Sequence, residues 1–129
     1  MMKEELVTQH MGDTVVLTIH GECSEEIAHA LDQKCQEEML KRVKHILVDC
    51  ATITSLNPTI LRSILSSSSE ADKAGVNLVL YHLRAEHLAE VETAGLLSVL
   101  HVVPTFKDAY TYCRSHTGRA GSISRAFRK

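Results

Sequence analysis

The stretch Ile46-Leu47-Val48-Asp49-Cys50-Ala51-Thr52-Ile53-Thr54-Ser55-Leu56-Asn57-Pro58-Thr59-Ile60-Leu61 decides the fold. Its first three residues form an unbroken apolar run, the pattern of a strand covered on both faces. Asp49 follows at the carboxyl end of that strand. Asn57-Pro58 is a sharp helix start. Asparagine is a favoured N-cap, and proline a favoured first helical residue because its missing N–H would be unpaired there anyway. Ile60, Leu61, Ile64, Leu65 and Ala71 then recur at helical spacing and mark a buried face. In the Ser66–Ser69 run, Ser68 is expected on that face, with Ser66, Ser67 and Glu70 turned away.

Working outward, the same alternation continues in both directions. Upstream, Val15 to Ile19 is a β-branched run, reached through a turn at Met11-Gly12-Asp13 from a first strand near Leu6 to His10. Ser24 reads as an N-cap with Glu25 and Glu26 well placed against the helix dipole. Ile27, Ala30, Leu31, Cys35 and Met39 make its apolar stripe, and Lys41, Arg42 and Lys44 lie at its carboxyl end. Downstream, Val76 to Tyr81 is another buried strand. Arg84 to Ala94 is a helix stopped by Gly95 in the left-handed conformation. Val99 to Val103 is a short strand, and Thr105 caps a last helix that turns Phe106, Ala109, Tyr110 and Cys113 inward. The order is β-β-α-β-α-β-α-β-α. Strands alternating with helices imply crossover connections and a mostly parallel sheet of about five strands with about four helices, antiparallel only at its start.

Length and composition bound the function. A chain of 129 residues with 44% hydrophobic and 23% charged residues is expected to be one domain with a buried core. The longest apolar stretches, such as Leu96 to Val103, are too short to span a membrane. Lys3 is followed at once by Glu4 and Glu5 with no apolar run, so no signal peptide is expected. Nine of the 14 basic residues and all 16 acids fall within residues 1–113, which leaves that part seven charges negative. Residues 114–129 hold the other five cations and no acid. An acidic body is a poor nucleic-acid binder. A folded domain over residues 1–115 and a mobile basic tail over 116–129 are expected. Cys23, Cys35, Cys50 and Cys113 are scattered without a C-x-x-C pair and read as reduced thiols of a cytoplasmic protein.

The fingerprints of chemistry are missing. No nucleotide-binding glycine motif, nucleophile elbow or metal-ligand spacing occurs, so no cofactor and no metal site is expected. Asp49 and the strand-end histidines His82 and His101 are the material for a small α/β enzyme, because ligands bind at the carboxyl ends of parallel strands. The plainer reading makes Asp49 a turn partner for residues 51–54. A deep pocket joining these residues would favour the enzyme, and an apolar surface at the second helix start would oppose it.

The Ile46–Leu61 stretch resembles the STAS domain, the SpoIIAA-like fold of anti-sigma factor antagonists and of the cytoplasmic tails of sulfate transporters. That family has a buried strand, a short loop, and Asp-Ser-Ser-Gly or Asp-Thr-x-x opening a leucine-rich helix. Gly21-Glu22 after a strand, Ala74-Gly75 before one, Thr93-Ala94-Gly95-Leu96, and Pro104-Thr105 with Asp108-Ala109 fit its remaining pattern. The resemblance spans about residues 5–113. It implies a non-catalytic domain of bacterial signal transduction and transcription regulation. Its protein partner would be an anti-sigma or switch-protein kinase, docked on Ser55, Leu56, Asn57, Pro58, Thr59 and Arg62. A homo-oligomer is compatible with the resemblance. Asn57 replaces the motif's Asp, Pro58 its usual phosphoacceptor and Ile60 its glycine, leaving Thr59 as the candidate for phosphorylation. The alternative within the family is an accessory subunit of a transport system, docking on an ATPase.

Overall fold

The computed structural model describes residues 5–115 apart from Cys23 and Asn57. The element order is β1 (Glu5–Met11), β2 (Thr14–Glu22), α1 (Glu25–Leu40), β3 (His45–Asp49), β4 (Ile53–Ser55), α2 (Pro58–Lys73), β5 (Asn77–Tyr81), α3 (Ala85–Thr93), β6 (His101–Val103) and α4 (Phe106–Ser115). The expected cap at Asn57, the thiol of Cys23 and the expected tail 116–129 lie outside the described residues.

The strands run in the order β1-β2-β3-β5-β6, with β1 antiparallel to β2 and the other neighbours parallel. β3 is central, as its unbroken apolar run requires. Alternation across the sheet sorts the side chains into two cores. Val15, Ile46 and Leu78 share one register row, and Leu17, Val48 and Leu80 another. Both rows enter the large core with residues of α1, α2 and α3. The intervening row Val16, Leu47 and Val79 faces the opposite side and packs with Ala109 and Cys113 of α4.

β4 was not expected from the sequence. Its three residues carry one buried side chain, Ile53, too little for a strand pattern. It forms because β2 runs past the end of β3: β3 pairs with Thr14 to Thr18, while β4 pairs with Gly21 and Glu22. The backbone between β3 and β4 is held by Gly21 N–H donating to the Thr52 carbonyl (3.1 Å) and Cys50 N–H donating to the Tyr81 carbonyl (3.0 Å).

Four further expectations are corrected. In α2 the buried serine is Ser67, not Ser68. The inward row is Ile60, Ile64, Ser67 and Ala71, and the Ser67 hydroxyl donates to Asp32 of α1 at 3.2 Å. In α1 the buried row is Ile27, Ala28, Leu31, Cys35 and Glu38, so Glu38 takes the place expected of Met39. The Glu38 carboxylate is fully buried and accepts from His10 Nε2 on β1 (2.9 Å) and Lys41 Nζ (3.5 Å). β6 begins at His101 and not Val99, because the Val99 and Leu100 N–H groups both turn back to the Leu96 carbonyl. Tyr110 is exposed, stacked on Phe106 with the Arg114 guanidinium over its ring, while Tyr112 is half-buried against His101.

Several local readings hold. The Ser24 hydroxyl accepts from Ile27 N–H at 3.3 Å, and Thr105 accepts from Asp108 N–H at 3.1 Å, so both cap their helices. Gly95 ends α3 at φ +76°, the left-handed region in which glycine is unstrained. Cys35, Cys50 and Cys113 are buried and outside any disulfide. Burial pushes Cys35 and Cys113 each up to about 12, so both stay protonated and inert at neutral pH.

Candidate functional site

The start of α2 lies at the carboxyl edge of the sheet, delivered there by β4. Pro58 opens the helix at the surface. Leu56 lies two residues before the helix and Leu61 in its first turns; both are buried in the large core, the arrangement of a hydrophobic staple fixing the entry angle. Ile60 is wholly buried. Its bulk is therefore core packing and does not stand on the surface where the family's glycine leaves room. Thr59 and Ser55 are half-buried, and Arg62 is exposed.

Leu56, Pro58, Leu61 and Arg62 form one wall of an open groove of about 520 Å³. The other wall comes from α3 and the residues just after it: Ala89, Glu90, Thr93, Ala94 and Leu96. The sequence reading missed this second wall. Its signal was there: α3 turns His87 and Val91 inward, which leaves the small residues Ala89 and Thr93, four apart, on another face. What periodicity does not reveal is that this face lies beside α2.

The other candidate site gathers at the same edge of the sheet. Asp49 Oδ1 accepts from Ala51 N–H at 3.0 Å and lies 3.2 Å from His82 Nδ1. His82 has φ +64°, and its N–H donates to the Pro104 carbonyl at 3.1 Å. The Tyr81 phenol is raised well above its usual range by burial, with the Asp49 carboxylate adding to the effect. Nearby, Thr52 Oγ1 donates to the Ile19 carbonyl at 2.9 Å. With its one proton used there, His20 Nδ1 is the donor in their 2.8 Å contact. Arg84 Nη2 donates to the Ile53 carbonyl at 3.0 Å and pins β4 to the start of α3. The expected role of Asp49 as a turn partner is met by its bond to Ala51. His101 is elsewhere, against Tyr112 at 3.5 Å. The groove reaches neither Asp49 nor His82. Among the described residues no group of three or more His, Cys, Asp or Glu side chains is placed to hold a metal.

A family model described as Mlab, STAS domain, matches residues 6–103. The chain belongs to the STAS domain family. Solved structures place this STAS domain's fold with the anti-sigma factor antagonists. An anti-sigma factor antagonist from Mycobacterium paratuberculosis is 17% identical, with 87% of this chain and 95% of that one covered and a TM-score of 0.77. The antagonist SpoIIAA in its unphosphorylated form is 14% identical, covering 86% and 97% of the two chains, with a TM-score of 0.73. The Bacillus cell fate determinant SpoIIAA in its phosphorylated form is 14% identical, covering 87% and 100%, with a TM-score of 0.65. The comparison with curated proteins finds no significant match. Among the described residues of the STAS domain, no helix is long and apolar enough to cross a membrane.

Proposed function

We propose that this STAS domain is a non-catalytic, protein-binding component of a bacterial signalling pathway of the anti-sigma factor antagonist type. Its partner is a protein kinase of the anti-sigma or switch class, docked on the face made by Ser55, Leu56, Asn57, Pro58, Thr59 and Arg62. The observation that carries this reading is the open apolar groove flanking Pro58 and Arg62. Exposed apolar surface of this kind, rimmed by polar residues, marks a site of association. The Asp49–His82 corner, by contrast, lies outside that groove, and its polar groups are bonded to one another and to backbone, which suits a closed turn more than a reacting centre. Cys35, Cys50 and Cys113, buried and outside any disulfide, suit a cytoplasmic protein.

The family's phosphorylation switch is altered here. Pro58 offers no hydroxyl, and Thr59 is half-buried in the first turn of α2. We read the domain as a binder without that switch. Capture on the native-cell partner tests the docking face: Arg62→Glu abolishes binding, and retention of every partner by that variant overturns the face. Capture of a transporter ATPase in place of a kinase would move the domain to the transport alternative. Mass spectrometry of the protein with and without stress tests the switch, and phosphate at Thr59 would restore it.

A further inference from the structure

Resting on that docking reading, we propose that the groove between α2 and α3 receives a basic amphipathic helix of the partner protein. The interior of the groove is aliphatic, from Leu56, Leu61 and Leu65 to Leu96. Two helical walls with small residues on one of them make the slot that a third helix fills by packing ridges into grooves. Ala89 and Ala94 supply the close approach on the α3 side.

Charge selects the occupant. α3 carries the exposed Glu86, Glu90 and Glu92 and no cation of its own, and of these Glu90 lines the groove. Arg84, just before the helix, lies 3.6 Å from Glu86 and offsets that one. Glu90 lines the groove itself, opposite Arg62 on the α2 wall. The body of the protein is seven charges negative over residues 1–113, which steers a cationic segment toward it. A helix with aliphatic residues at positions i, i+3 or i+4, and i+7, and with Lys or Arg along its α3 side, meets both demands.

The test titrates the isotope-labelled full chain with three peptides and follows backbone amide shifts. The first is a roughly 18-residue amphipathic helix of Leu and Lys, long enough for about five turns. The second replaces its Lys with Glu. The third is residues 116–129 of this chain. The Leu/Lys peptide should move amides of residues 61–65 and 89–96 together, and bind about tenfold more tightly than the Leu/Glu peptide. Ala89→Arg, which places a long side chain across the groove, should weaken the Leu/Lys peptide about tenfold. Thr93→Gln on the same wall is the second variant if Ala89→Arg alters the circular dichroism. Glu90→Lys should narrow or invert the preference for Lys over Glu.

Equal affinity for the two designed peptides, shifts scattered over the surface, or no loss with either wall variant would overturn the proposal. Tightest binding by the 116–129 peptide, focused on the groove, would overturn it in favour of the chain's own terminus as occupant. Capture of the native partner separates this inference from the reading beneath it. Loss with both Arg62→Glu and Ala89→Arg supports both. Loss with Arg62→Glu alone overturns the groove and leaves the docking face. Retention with both overturns the docking face.

Discussion

Two regions share the carboxyl edge of the sheet and use their side chains in opposite ways. At the Asp49–His82 corner, polar groups are turned on one another: Asp49 meets Ala51 N–H and His82, Thr52 meets Ile19 and His20, and Arg84 meets Ile53. Their hydrogen bonds close the β3–β4 connection and tie it to β2, β5 and α3. At the α2–α3 groove, apolar side chains are left open and the charges stand apart on the rim. The difference supports the proposed docking face. Polar groups satisfied internally stabilise a turn, whereas unpaired apolar surface gains only when a partner covers it.

The comparison breaks most readily at Asp49. Asp49→Ala removes the acceptor of Ala51 N–H and of His82, and should cost about 1–3 kcal/mol in urea unfolding while leaving partner capture intact. Loss of partner at unchanged stability would reverse the roles of the two regions. Next in size is Ser67→Ala, which removes a buried hydroxyl that donates to Asp32 between α1 and α2. Chemical denaturation should show a loss of about 0.5–1.5 kcal/mol, with the groove's binding unaffected because Ser67 lies deeper along α2. Arg62→Glu, on the open rim, should stay within about 0.5 kcal/mol of the parent in the same measurement. A larger loss would mean that the rim, too, is structural.

A third region, at the opposite edge of the sheet, supplies a pH control. His45 is buried and its Nδ1 lies 3.0 Å from Asn77 Nδ2, which can only donate, so Nδ1 is the acceptor. Burial holds its pKa below 6.5, with Lys44 acting in the same direction and Asp13 against it. The unfolded chain therefore takes up this proton first as the pH falls. The contribution of neutral His45 is complete above pH 6.5 and shrinks below it, down to the folded-state pKa. Stability measured across that range should fall less steeply for His45→Gln than for the parent. An unchanged slope would assign the acid limb to other groups. The smallest effect is expected from removing residues 116–129, which carry four cations and no acid, because an exposed charge pair is worth only ~0–1 kcal/mol. The melting temperature should stay nearly unchanged, and a drop of several degrees would place that segment within the fold.

The sequence by itself determined the elements whose physics is local. The apolar runs at Ile46–Val48 and Val76–Tyr81 specified doubly covered strands, Ser24 and Thr105 specified caps, Pro58 a helix start and Gly95 a helix stop. Each depends on neighbours within a few residues, where hydrogen-bonding capacity and side-chain spacing can be read directly. Tertiary structure alone decided the rest. Ile53–Ser55 became a strand only because β2 outruns β3 and offers Gly21 and Glu22 for pairing. Glu38 became a buried residue only because His10 of β1 and Lys41 come within reach of its carboxylate. The candidate site divides in the same way. Leu56, Pro58 and Arg62 were legible around a local helix start. The α3 wall was not, because Ala89 and Glu90 join them across about thirty residues of chain, and no periodicity within one helix states which other helix it will face.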